Sequence, residues 1–207
     1  MSAAAPSPSR APALRLLVLG STSRYRRELL ERLHLPFEVV SPEVDETAQA
    51  GELPCDLALR LALEKARVVA ARFPAAVVIG SDQVADLDGR SIGKPGTHPR
   101  AVLQLQAMSG REVIFQTAVA VVCLATGYGG QALVPVRVRF RVLDRATIER
   151  YLTLETPYDC AGSAKSEGLG VALLDAIVSD DPTALVGLPL IRTCALLRAA
   201  GIEPLAP

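Results

Sequence analysis

Arg15-Leu-Leu-Val-Leu-Gly-Ser-Thr-Ser-Arg-Tyr-Arg-Arg-Glu-Leu-Leu-Glu-Arg-Leu33 opens with an apolar run, breaks at Gly20, and continues with apolar residues at helical spacing from Tyr25 to Leu33. This reads as strand, polar turn and helix, the opening unit of an α/β sheet protein. The hydroxyl-rich turn Gly20-Ser21-Thr22-Ser23 has free backbone N–H groups ahead of a helix N-terminus, where a phosphate is favoured, although a plain helix cap uses the same residues. On a wheel of about 100° per residue, Arg26 falls between Leu30 and Leu33 on the apolar side.

Outward from this unit, Phe37–Ser41 reads as a second strand and Leu57–Phe73 as a long helix. Ala76–Gly80 is a strand ending in Ser81-Asp82-Gln83, and Asp88-Gly89 is a hairpin turn. A helix follows from Pro99 to Met108. Glu112–Leu124 and Leu133–Leu143 form a large hairpin around Thr126-Gly-Tyr-Gly-Gly130. Asp144 caps a helix to Glu155, a Gly-punctuated loop covers Cys160–Gly170, Val171–Val178 is a strand, and Leu190–Ala200 is the last helix. The fold class expected is α/β, a twisted mixed β-sheet with flanking helices and two lobes around a central cleft. Residues 1–13, rich in Pro, Ser and Ala, read as a disordered extension, and residues 14–207 as a single domain.

The chain has 207 residues, 50% hydrophobic and 21% charged, with 22 Lys+Arg balancing 22 Asp+Glu. A net charge of zero gives no global field for nucleic acid or an anionic membrane, so an anion site must be local. The longest apolar run, Ala118–Ala125, falls far short of the ~20 residues of a membrane helix. Cys55, Cys123, Cys160 and Cys194 form no CxxC pair, which argues against zinc and for reduced thiols in the cytoplasm.

The long helix carries a second inward cation. Leu57, Ala58, Leu61, Val68 and Val69 share one arc, Arg60, Glu64 and Arg67 lie outside it, and Lys65 falls inside. An ammonium there must snorkel, pair with a buried carboxylate such as Asp82 or Glu46, or meet an anionic ligand. Two helices each aiming a cation inward favour a shared anion. Lys94, between Gly93 and Pro95, presents another cation at a strand end; the Gly89–Lys94 spacing is one residue short of a Walker loop. Asp82 is placed at the mouth of the sheet, suited to hold a metal or take a proton from water, with an Asx turn as the plain alternative. Pro42-Glu43-Val44-Asp45-Glu46-Thr47 supplies carboxylates of the kind that suit magnesium or manganese. Ser166 lacks the glycine of a nucleophile elbow, and His34 and His98 are poorly placed as its base.

Several stretches, in order, together resemble the Maf family of nucleoside triphosphate pyrophosphatases: Leu-Gly-Ser21-Thr-Ser-Arg-Tyr25-Arg26, Pro-Glu-Val-Asp45-Glu46-Thr, Leu-Glu-Lys65-Ala, Ile-Gly-Ser-Asp82-Gln83, Gly-Lys94-Pro, Met-Ser-Gly-Arg, and Cys160-Ala-Gly-Ser-Ala-Lys-Ser-Glu167-Gly-Leu-Gly. The resemblance runs from Leu14 to Leu205. It implies an inosine-triphosphatase-like architecture and hydrolysis of a nucleoside triphosphate between the α and β phosphates to monophosphate and pyrophosphate. It further implies Asp82 as the catalytic acid-base carboxylate, Ser21, Arg26, Lys65 and Lys94 as substrate-binding residues, and Glu46 with Asp82 beside a divalent Mg2+ or Mn2+. Tyr25, Gln83 and Glu167 occupy positions implied to set base specificity. The Ser-Asp-Gln and Lys-Ser-Glu-Gly forms look like the branch acting on 7-methyl-GTP in house-cleaning; the alternatives are the sister dTTP/UTP branch or a non-catalytic regulator of cell division. Arg24 replaces the proline usual in the family. A nucleoside triphosphate substrate, a homodimer and a cytoplasmic location are also implied, with no nucleic-acid or membrane partner.

Overall fold

The computed structural model describes residues 15–206. The chain alternates β1 (Leu17–Gly20), α1 (Arg24–Glu31), β2 (Glu38–Val40), α2 (Pro54–Arg72), β3 (Val77–Leu87) and β4 (Arg90–Ile92). It continues with α3 (His98–Met108), β5 (Glu112–Cys123), β6 (Tyr128–Phe140), α4 (Arg145–Glu155), β7 (Leu174–Val178) and α5 (Leu190–Ala199). The seven strands build one mixed sheet in the order β2-β1-β3-β5-β6-β7, with β4 also on β3. Strands β2, β1 and β3 run parallel, while β5, β6 and β7 add antiparallel neighbours. The expected α/β class and mixed sheet are therefore observed.

Strand alternation sorts the core into faces. Val78, Val84, Ala118, Ala120 and Val122 pack with α2 on one face. Val77, Ile79, Val119 and Val121 pack on the other with Leu29 and Leu30 of α1 and Leu197 of α5. The far halves of β5 and β6 pack with α3 and α4 in a separate cluster, which forms the second lobe.

One edge of β3 is interrupted. Its pairing with β1 ends at Gly20↔Gly80, and its pairing with β4 begins at Ala85↔Ile92. Ser81–Val84 therefore have a strand partner only on the β5 side. The gap lies at the carboxyl ends of β1 and the parallel part of β3, where α/β sheets place ligand crevices. Gly80 lets α2 press onto the sheet: a Cβ there would stand 2.2 Å from the Ala62 carbonyl oxygen and 2.6 Å from the Ala66 nitrogen.

Four expectations need correction. Asp82 does not follow a strand; it lies inside β3, because pairing with β5 carries the strand through Ser81-Asp82-Gln83. Tyr128–Gly130 belong to β6 and pair with Cys123–Val121, so the hairpin loop is shorter than the glycines suggest. The apolar run from Val171 begins as a 3-10 turn over Leu169–Leu173, and only Leu174–Val178 pairs with β6. Val68 is exposed, and the buried stripe of α2 is completed by Ala62, Ala66 and Ala70. The Asp88-Gly89 turn has φ of 53° and 77°, the left-handed pair that a tight hairpin requires. The expected extension over residues 1–13 lies outside the described residues.

Candidate active site

A cavity of about 670 Å3 opens at the gap in the sheet, within the usual range for small-ligand sites. Ser21, Tyr25, Arg26, Glu46, Lys65, Asp82, Gln83, Lys94 and Glu167 all line it. These nine residues are thus brought to one cleft from six separate segments, whereas Glu43 and Asp45 of the acidic loop do not line it; Asp45 instead accepts from the Thr47 amide.

The central group is an ion triplet. Lys65 Nζ stands 2.7 Å from Asp82 Oδ1 and 2.6 Å from Glu46 Oε1. The Lys65 side chain is 5% exposed and that of Asp82 10%, whereas Glu46 is 56% exposed at the rim. Lys65 does not snorkel; alternation along β3 turns Asp82 toward α2, and the ammonium meets it there. Burial alone would raise the Glu46 carboxyl, but the hydrogen bond and charge of Lys65, helped by Lys94 and Arg26, hold it below its ordinary range. No buried side-chain polar atom lacks a partner among the described residues.

The opposite parity of β3 serves a different purpose. Ser81 Oγ donates to the carbonyl oxygens of Ala118 (2.7 Å) and Gly187 (2.9 Å). Gln83 Nε2 reaches Thr117 Oγ1 and the carbonyl oxygens of Ala184 and Leu185, at 2.9, 3.0 and 3.0 Å. The amide nitrogen of Gln83 is therefore committed to holding the segment 184–187 against the strand. Arg26 Nε donates to the same Gly187 carbonyl at 2.9 Å, and Nη1 lies 3.5 Å from Ser21 Oγ. Burial lowers the Arg26 guanidinium pKa, with Asp82 and Glu46 opposing it. Ser21 Oγ accepts from the Ser23 amide, and Ser23 Oγ caps α1 at the Arg26 amide. Helix α1 thus begins at the cleft with its dipole aimed inward.

Tyr25 stands at the mouth. Arg24 Cζ lies 4.7 Å from the centre of its ring, and Arg24 Nη2 donates to its hydroxyl at 2.7 Å, so one ring face already carries a guanidinium. Burial raises the Tyr25 phenol, against the Arg24 hydrogen bond. Lys94 is exposed just beyond β4 and has no salt-bridge partner among the described residues. Glu167 is exposed on the facing loop.

Sequence reasoning passed over three groups. The Gly187 carbonyl joins Arg26 to Ser81, Thr117 supports Gln83, and buried Asp181 accepts from the amides of Thr183, Ile191 and Arg192, fastening the segment to the start of α5. The Gly187 carbonyl carries no side-chain signal, Thr117 is an ordinary strand residue, and Asp181, though its carboxylate receives amides of the first turn of α5, is separated from that helix by enough loop to hide it.

The donor set bears on the divalent cation. Among the described residues no group of three or more His, Cys, Asp or Glu side chains could hold an ion by itself. Two carboxylates, Asp82 and Glu46, suit instead a hydrated hard cation completed by phosphate oxygens, as magnesium commonly binds. No described helix is long and apolar enough to cross a membrane.

A family model described as Maf-like protein matches residues 16–200. A protein of Albidiferax ferrireducens named 7-methyl-GTP pyrophosphatase is 67% identical over 194 residues, covering 94% of this chain and 98% of its own. A Polaromonas sp. protein of the same name is 68% identical over 191 residues, covering 92% and 87%. A nucleoside-triphosphatase / dITP/XTP pyrophosphatase structure from Mycobacterium abscessus aligns with a TM-score of 0.43 at 16% identity, covering 90% of this chain and 96% of its own.

Proposed function

The chain belongs to the Maf family, and from that premise we propose that it is a nucleoside triphosphate pyrophosphatase acting on 7-methyl-GTP, releasing 7-methyl-GMP and pyrophosphate in the cytoplasm. The observation that carries the reading is the Lys65–Asp82–Glu46 triplet, set in a cleft that also receives Ser21, Arg26 and Lys94. Relatives more than 60% identical over nearly the whole chain carry that name.

Hydrolysis adds water to phosphorus as the α–β anhydride bond breaks and the electron pair leaves with pyrophosphate. Negative charge grows on the departing oxygens, and its stabilisation by fixed cations is the main demand of the reaction. Arg26, Lys65 and Lys94 approach from three segments and meet that demand, while Ser21 and the start of α1 offer hydrogen-bond donors to phosphate oxygens. Asp82 Oδ1 is held by Lys65, which fixes the carboxylate in the cavity wall, where it takes the water proton. Asp82 and Glu46 would hold the divalent cation, which when bound supplies further neutralisation of the phosphates.

At the other end, the Glu167 carboxylate is the acceptor for the N1 and N2 edge of guanine, and the free face of Tyr25 receives the cationic methylated ring. Gln83 acts on this region by holding the 184–187 segment, through which it shapes the wall.

Pyrophosphate release from 7-methyl-GTP, GTP, dTTP and UTP with magnesium tests the reading. The expected result is preference for 7-methyl-GTP, with Asp82→Asn lowering turnover by roughly 10²–10⁴-fold. Preference for the pyrimidine substrates would overturn the substrate assignment, and binding without release in the wild type would overturn the activity.

A further inference from the structure

We propose that Gln104, a residue outside the cavity, positions Lys94 by latching its loop to the loop that forms the opposite wall. The proposal deepens the functional reading above and rests on it. Gln104 sits on α3 with its amide between two segments that have no strand pairing with each other. Its Nε2 donates to the Gly93 carbonyl at 3.0 Å, one residue before Lys94. Its Oε1 accepts from Ser163 Oγ at 2.5 Å. A carboxamide is the group suited to this place, because it donates to a carbonyl at one end and accepts from a hydroxyl at the other.

Two features show that the arrangement holds the backbone in place. Gly162 and Ser163 are consecutive left-handed residues, with φ of 68° and 55°. A serine rarely adopts this conformation, and Ser163 is fully buried with Gln104 accepting its hydroxyl proton. The Gly162 amide also reaches the Gly93 carbonyl at 3.4 Å, and the Gly96 amide reaches the Tyr158 carbonyl at 3.1 Å, so the loops meet on both sides of Lys94. Lys94 itself is exposed, with no ion pair among the described residues to fix it. Its location therefore depends on its backbone, and the Gly93 carbonyl held by Gln104 is the adjoining anchor.

The same contact ties Lys94 to the loop bearing Cys160, Ala161 and Glu167. Gln104 consequently joins a cation assigned to phosphate with a wall assigned to the base, from a position where it touches neither. It is a positioning residue.

A double-mutant cycle tests this. Gln104→Leu removes both bonds; Gln104→Glu keeps the acceptor for Ser163 but places a carboxylate against the Gly93 carbonyl. With 7-methyl-GTP, each is expected to lower kcat/KM by roughly ten- to a hundredfold, the order that small misplacement of a catalytic group costs. On a Lys94→Ala background, Gln104→Leu is expected to cost less than about twofold, since residues acting through one group are not additive. Equal fold losses on both backgrounds, or melting temperatures lowered with kcat/KM unchanged, would overturn the proposal. Calorimetric binding of tripolyphosphate by the four proteins of the cycle (wild type, Gln104→Leu, Lys94→Ala and the double variant) gives a second reading. If the wild type releases no pyrophosphate, the functional assignment fails, and the presence or absence of coupling in tripolyphosphate affinity still decides the role of Gln104.

Discussion

At the scale of single residues, the site is built on one ammonium shared by two carboxylates. Removing a partner from a buried ion pair leaves an uncompensated charge, which is more damaging than the net value of the pair suggests. Lys65→Met would leave Asp82 facing Glu46 at close range with no cation between them. Allowing for the exposure of Glu46, the expected loss is about 3 kcal/mol of unfolding free energy, measured by urea titration. Asp82→Asn combined with Lys65→Met is expected to recover part of that loss, because one repelling charge is then gone. Both helix cations were legible from wheel geometry alone, since a charge on an apolar arc needs a partner wherever the chain folds. Sequence reading offered Asp82 or Glu46 as a partner for Lys65 beside two other outcomes; that Lys65 holds both at once was not legible, because helix spacing says nothing of the sequence-distant strand it faces.

The elements act through their close approach. Helix α2 delivers Lys65 to Asp82 because Gly80, two residues before Asp82 on the same face of β3, leaves the strand flush against the helix backbone. Gly80→Ala would drive a methyl into the Ala62 carbonyl and the Ala66 amide, neither of which can rotate away. The expected cost is about 1–3 kcal/mol of stability from overpacking. Turnover should fall as well, because α2 shifts outward and lengthens the 2.7 Å contact between Lys65 and Asp82. Thermal melting and pyrophosphate release measured on one preparation check both effects. Strand β3 also explains an error of sequence reading. Ser81, Asp82 and Gln83 look like the end of a strand because three polar residues interrupt an apolar run. They remain in the strand because Val119, Ala118 and Thr117 of β5 pair with them, and because their side chains find partners on opposite faces. Long-range pairing overrides local composition there. The same holds at Tyr128–Gly130, whereas the capped start of α4 at Asp144, a wholly local device, was readable from sequence.

Across the molecule, carboxylates held by cations make the fold sensitive to acid. Glu46 lies below its ordinary value of 4.5 against the opposing effect of burial. The hydrogen bond from Arg60, with help from the Gln49 amide, lowers Glu52 to about 2. Both groups bind protons more weakly folded than unfolded, so their contribution is complete above about 4.5 and is lost as pH falls toward about 2. Urea midpoints should decline through that window, and Glu52→Gln should flatten the decline; a midpoint independent of pH there would contradict the pairing. The overall class, the order of elements and the membership of the cleft were all legible in sequence, the last largely through ordered motifs. What escaped was the means of support: Gln104 and Ser163 are 59 positions apart, and nothing in either neighbourhood announces the other. The long strands β3, β5 and β6 run unbroken from one lobe into the other. Strands that act as shared beams resist a jaw-like closing of the two halves, so admission of a ligand and escape of its products fall first to the loops at the rim.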